Sequence, residues 1–220
     1  FSVGIISQPD WRQERSIQIY GEPRLAFLVG SGNIDSMVNN YTASKRPRRT
    51  DEYSPGGKSG FRPDRALSVY VDMVKKSYPN TPVVIGGIEA SLRRFAHYDY
   101  WSDSIMPSIL VDTQADMLLY GMSETQIKTL AHGLAKGWPI HKIKDIPGTC
   151  YISSSLPKGN KYTLISSFEE VSTEKIKFAE AFQIQSREQN PFIGSTLVQK
   201  HGDLYLVQLP PAKPLSQSEM

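Results

Sequence analysis

The chain has 220 residues, 39% of them hydrophobic and 21% charged, with a formal net charge of +3. That is enough apolar material for one good core and a small appendage, and too little charge to argue for general binding to nucleic acid or an anionic membrane. The single cysteine, Cys150, excludes an internal disulfide, a cysteine-based zinc site and a cysteine-held iron–sulfur cluster built from this chain alone.

Strand and helix signals alternate from the start. Residues 3–6 read as a strand, 10–17 as a short helix and 25–29 as a second apolar strand, which is βαβ grammar. Gly30-Ser-Gly-Asn-Ile-Asp35 follows that strand, and a helix begins over 36–41. Residues 42–63 hold Pro47, Pro55, Gly56, Gly57, Gly60 and Pro63, which no regular element accommodates together, so a long polar loop is expected. Within it, Lys45-Arg-Pro-Arg-Arg49 reads as a solvated basic run.

Asp64 is the expected N-cap of a helix over 65–78, whose Leu67, Val71 and Val74 fall on one face and whose Lys75 and Lys76 suit its C-terminal end. A buried strand at 83–85 runs into Gly86-Gly87 and a helix opening at Glu89. The tract 101–111 has no clear period. A strand at 116–120 leads through Gly121 into a helix over 124–135 with Ser123 as its cap, ended by Gly137.

Past Pro147 the pattern changes. Residues 149–153 and 162–165 suggest a hairpin across 157–160, 173–189 a charged helix, and 196–200 with 204–208 a second hairpin. Three units are expected: an α/β domain at 1–146, a β-containing extension at 147–208, and a Pro-rich linker at 209–220.

The residues able to carry chemistry cluster at strand-to-helix junctions, where ligands of open α/β sheets are received. Gly30, Ser31, Asn33 and Asp35 close one strand, Gly86, Gly87, Glu89, Ser91 and Arg94 another, and Gly121 and Glu124 a third. Together they form the candidate ligand cradle. For the diglycine, turn geometry and a cofactor cradle are both open readings, since Gly86-Gly87 is not part of a G-x-G-x-x-G pattern. Arg93 and Arg94 supply anion-binding charge, although Glu89 is placed to pair with Arg93 at i,i+4. His97 and Asp99 lack the spaced partners of a metal site, so no metal ligand and no catalytic residue is assigned. Tyr98, Tyr100 and Trp101 read as packing residues.

Longer motifs carry a resemblance. Gln8-Pro-Asp-Trp11, Gly32-Asn-Ile-Asp-Ser-Met-Val-Asn39, Tyr53-Ser-Pro-Gly-Gly57, Arg62-Pro-Asp-Arg65, Val84-Ile-Gly-Gly-Ile-Glu-Ala-Ser-Leu-Arg-Arg94 and His97-Tyr-Asp-Tyr-Trp-Ser102 resemble, in order, the N-terminal region of YgiQ-type radical SAM proteins. The resemblance implies an accessory α/β domain, similar to flavodoxin-like or cobalamin-binding domains, with an open, mostly parallel sheet that lacks its first strand here. It also implies a following barrel, led into by residues 207–216, as partner. That barrel's C-x-x-x-C-x-x-C loop would hold a [4Fe–4S] cluster and S-adenosylmethionine. The loop is not in this sequence, so no cofactor is expected to be held by this chain alone. Cobalamin would have to bind without the D-x-H-x-x-G signature. A small-molecule ligand is admitted; membrane and nucleic-acid partners are not. No apolar run approaches the ~20 residues of a membrane span, so the cytoplasm is the expected compartment.

Overall fold

The computed structural model describes residues 1–158 and 161–219. Nine strands and seven α-helices are found among them: β1 (Phe27–Gly30), α1 (Ser36–Asn40), α2 (Ala66–Ser77), β2 (Val83–Gly86), α3 (Gly87–Leu92), β3 (His97–Asp99), β4 (Ser104–Met106), α4 (Ile109–Thr113), β5 (Met117–Leu119), α5 (Glu124–Ala135), β6 (Thr149–Ser153), β7 (Tyr162–Ile165), α6 (Phe168–Thr173), α7 (Lys175–Arg187), β8 (Thr196–His201) and β9 (Leu204–Gln208). Seven strands form one open mixed sheet in the order β1-β2-β5-β6-β9-β8-β7, while β3 and β4 make a separate hairpin. The protein is therefore α/β with a β-hairpin extension, as expected.

The sheet has two characters. β1, β2 and β5 run parallel, and β5 then pairs antiparallel with β6, as do β6 with β9 and β9 with β8. Strands β2 and β5 are covered on both faces, whereas β1, at the edge, leaves Leu28 exposed, and the side chains divide by the period of two. Val83, Ile85 and Leu118 face Leu67, Val71 and Val74 of α2 and Leu110 of α4. Val84, Met117 and Leu119 face Leu130 of α5 and Ile140, Ile143 and Ile146. Cys150 lies fully buried in the first of these layers.

Five expectations are corrected. Residues 3–6 form no strand, and only a 3-10 turn at Glu14–Ile17 stands where a helix over 10–17 was expected. Arg65, in a left-handed conformation, is the N-cap of α2, because the Asp64 carboxylate is taken by Asn40 (2.9 Å) and the Tyr41 hydroxyl (2.6 Å). Residues 149–153 and 162–165 are not a hairpin: β6 lies between β5 and β9, while β7 pairs in parallel with β8 at the far edge. The intervening turn falls partly outside the described residues. The charged helix is broken into α6 and α7 at Glu174, whose extended backbone ends one and caps the other. Together they make the crossover that a parallel β7–β8 pair requires.

The second hairpin is found, with β8 and β9 turning over Gly202 and Asp203. Residues 209 onward begin by clasping the body: Leu209 N donates to Thr149 O (3.0 Å), and Gly148 N to Pro210 O (2.7 Å).

Candidate functional site

Strands β1 and β2 end side by side, Gly30 opposite Gly86, and their following loops form the carboxyl edge of the parallel half. Gly87 has φ +82°, a conformation that L side chains rarely adopt, so turn geometry accounts for this glycine. The helix it opens, α3, is six residues long.

Glu89, the acid of that helix, is fully buried. Its two oxygens accept from Ser36 N (2.9 Å) and Leu67 N (3.0 Å), so one carboxylate satisfies the orphan amides at the starts of both α1 and α2. Asp35 likewise accepts from Met37 N and Val38 N and forms an ion pair with Arg93. Arg93 thus pairs with Asp35 rather than with the Glu89 carboxylate, and touches Glu89 only at its carbonyl. Burial works against the Arg93 charge, but the Asp35 hydrogen bond and charge outweigh it and raise its pKa.

The other predicted residues are placed as follows. Ser31 is buried, donates to Ile34 O (3.3 Å), and accepts from Arg62 through its carbonyl. Gly30 and Asn33 are exposed at the edge. Ser91 bonds back to Gly87 O (2.8 Å). Arg94 turns inward to Gln208 Oε1 (2.6 Å), with its guanidinium over Tyr120. Gly121 and Glu124 are exposed, and Ser123, at the cap position of α5, donates to Gly121 O instead of capping. Neither Gly121 nor Glu124 lines the cleft described next.

What the edge does bring together is a cleft of about 440 Å³ beneath the β3–β4 hairpin. That is within the ~300–1,000 Å³ of small-molecule sites. It is lined by Asp35, Met37, Val38, Tyr41, Thr42, Ala43 and Arg48 from α1 and the following loop, and by Leu92, Arg93, His97, Tyr98, Asp99, Tyr100 and Trp101 from α3 and the hairpin. The hairpin is held over it: the Tyr41 and Trp101 rings lie 4.6 Å apart, Tyr100 donates to Ala43 O (2.7 Å), and Lys45 sits over Tyr100 at 4.7 Å. Asp99 accepts from Arg65 (2.8 Å) and from Ser102. Burial alone would raise its pKa; these bonds and charges together hold it below the ordinary carboxylate value. His97 Nδ1 lies 3.2 Å from Phe95 O, and burial, with Arg93 adding to it, pushes the imidazole below its usual pKa.

Of the predicted cradle only Asp35 lines this cleft; sequence reasoning assigned no site role to His97 or Asp99, read Tyr98, Tyr100 and Trp101 as packing residues, and missed Tyr41 and Arg48. The signal available was the aromatic run itself, too polar on its flanks to be core.

The comparisons bear on the whole chain. The family described as Radical SAM N-terminal matches residues 1–220. The chain belongs to this family. Among relatives of this radical SAM N-terminal chain is a UPF0313 protein of Clostridium botulinum (strain ATCC 19397 / Type A), 54% identical over 220 residues. Another is the UPF0313 protein CPE1196 of Clostridium perfringens (strain 13 / Type A), 51% identical over 221 residues. Both matches cover 100% of this chain but only 34% and 33% of the relatives, so the chain spans about a third of their length. No solved structure matches.

The family's name implies an iron–sulfur cluster, and the residues here do not fit one. Three thiolates are needed; the one cysteine is fully buried, and burial pushes its pKa up to about 12. Among the described residues no group of three or more His, Cys, Asp or Glu is arranged to hold a metal ion, and no helix is long and apolar enough to cross a membrane.

Proposed function

We propose that this radical SAM N-terminal domain is the accessory part of a larger iron–sulfur enzyme, not catalytic alone, and that its carboxyl-edge face forms one wall of a site completed by the barrel. The observation that supports this is the state of that face. Its acids are committed to holding helix starts and arginines, while Val38, Leu92, Tyr98 and Tyr100 stand exposed along a half-open cleft and Ile88 is exposed on α3 outside its lining. Clustered exposed apolar side chains beside a cleft suit a surface that another domain covers. Residues 1–146 then act as the wall, 147–208 as an extension of the same sheet, and 209–220 as the connector toward the barrel. The cluster and S-adenosylmethionine belong to that barrel, in the cytoplasm, and cobalamin is a ligand to titrate against the assembled site.

The test uses the full-length protein with Val38→Asp and Leu92→Glu. Visible absorption of the cluster should be unchanged, while S-adenosylmethionine cleavage falls and protease cutting within 209–220 rises. Unchanged cleavage and unchanged proteolysis would remove the wall reading.

A further inference from the structure

The cleft beneath the β3–β4 hairpin holds groups that the fold itself does not use. Most of its charges are spent. Asp35 is engaged by two amides and Arg93, and Asp99 by Ser102 and Arg65. Two polar groups on the wall remain open. His97 Nδ1 faces a carbonyl, so it must be the protonated nitrogen, which leaves Nε2 as an acceptor without a partner among the described residues. Arg48, which lines the cleft, uses Nε to donate to Val38 O (3.2 Å) and Tyr41 O (2.9 Å), which fixes the guanidinium. Its terminal nitrogens have no hydrogen-bond partner, and it makes no ion pair, among the described residues.

The same cleft is lined by aromatic rings. Tyr98 and Tyr100 are each 49% exposed, and Trp101 packs beside Tyr41. Lys45, over Tyr100 and Trp101 and donating to Trp101 O (3.3 Å), adds positive charge beside these rings and has no acidic partner among the described residues. A ring face is satisfied by a planar group, a fixed unpaired guanidinium by an anion, and an imidazole acceptor by an N–H.

We propose that this cleft binds a planar heteroaromatic ligand bearing an N–H donor and an anionic substituent, the chemistry of a nucleoside monophosphate. The ring lies against Tyr98 and Trp101, the N–H donates to His97 Nε2, and the anion meets Arg48. This places the ligand under the hairpin and away from the diglycine turn. It goes beyond the wall reading and does not depend on it.

Adenosine 5′-monophosphate is titrated calorimetrically into the full-length protein saturated with S-adenosylmethionine, with adenosine and ribose 5-phosphate in parallel. Adenosine 5′-monophosphate should bind, and each half-molecule should bind at least about tenfold more weakly. Arg48→Met and Tyr98→Ala should each weaken the nucleotide by at least about tenfold without changing circular dichroism. If Arg48→Met fails to fold, Tyr98→Ala decides, since that hydroxyl bonds only Asp103. No binding of the nucleotide, or binding unaffected in the folded variants, overturns the proposal. Loss of S-adenosylmethionine cleavage in Ile88→Glu, a residue outside the cleft lining, with nucleotide binding retained separates the two readings.

Discussion

Replacing Glu89 tests whether the acid at the head of α3 is a structural clasp or a ligand contact. Its carboxylate accepts two buried amides, at 2.9 and 3.0 Å, from Ser36 and Leu67, 53 and 22 residues away in sequence. In Glu89→Gln one oxygen survives, while the amide NH₂ confronts the other N–H donor to donor. The loss is one charge-assisted bond plus one unsatisfied buried N–H, about 3 kcal/mol. Glu89→Ala leaves both amides bare and should cost about 4 kcal/mol, set against a total stability of about 5–15 kcal/mol. At about 2–4 °C per kcal/mol for a chain of this size, Glu89→Gln should lower the thermal midpoint by roughly 6–12 °C. Far-UV circular dichroism reads the midpoint, and amide hydrogen exchange at Ser36 and Leu67 reads the two helix starts. A Gln variant with an unchanged midpoint and unchanged exchange at both amides would refute the clasp.

Three further outcomes are expected. His201 is buried with Nδ1 unpartnered, and burial pushes its pKa down to about 4 although Glu169 pulls the other way. Between the ordinary value near ~6.5 and about 4 the unfolded chain takes up a proton that the native one refuses, so stability is full above that window and falls by up to about 3 kcal/mol as pH drops through it. His201→Phe should flatten the acid limb of a urea-midpoint profile; an unchanged limb would count against the assignment. Arg62→Leu should open the 42–63 loop, because Arg62 holds Asp51 and the Ser31 carbonyl from inside and Asp51 in turn binds Ser54 and the Tyr53 amide. Leaving Asp51 buried and unpaired costs about 3–5 kcal/mol, seen as faster tryptic cutting between Arg46 and Lys58. Cys150, at 0% exposure with its thiol pushed up to about 12, should react with a maleimide only after denaturation; prompt labelling of native protein would contradict its burial.

What could be read in advance was local. Helix α5 has the bounds that Ser123 and Gly137 marked, and α2 follows the spacing of Leu67, Val71 and Val74. β2 and its diglycine turn were equally plain. What escaped depends on residues far apart. Glu89 beside Arg93 suggested a pair on one helix, yet the carboxylate went to amides of two other helices. Lys45 and Arg48 were read as solvated and are exposed, yet one also rests on Tyr100 and Trp101 and the other holds the end of α1. The β3–β4 turn carries no Gly or Asn-Gly signal; Asp103, at φ +51°, takes the left-handed position. The false hairpin of 149–153 with 162–165 had its own warning, since helical sequence between 168 and 187 is what a parallel crossover needs.

The order β1-β2-β5-β6-β9-β8-β7 also constrains how the chain reaches this state. As a ribosome delivers it, β6 can settle on β5 early, but its other edge stays open until β9 emerges, more than fifty residues later. β7, made next after β6, cannot take that place without blocking the strand that belongs there. The late β8–β9 hairpin must insert against β6 while carrying β7 at its far side. Sheets closed by such distant pairings form slowly and expose strand edges meanwhile. Synthesis halted before residue 208 should therefore leave a sticky nascent chain, and chaperone dependence should drop sharply once the hairpin is complete.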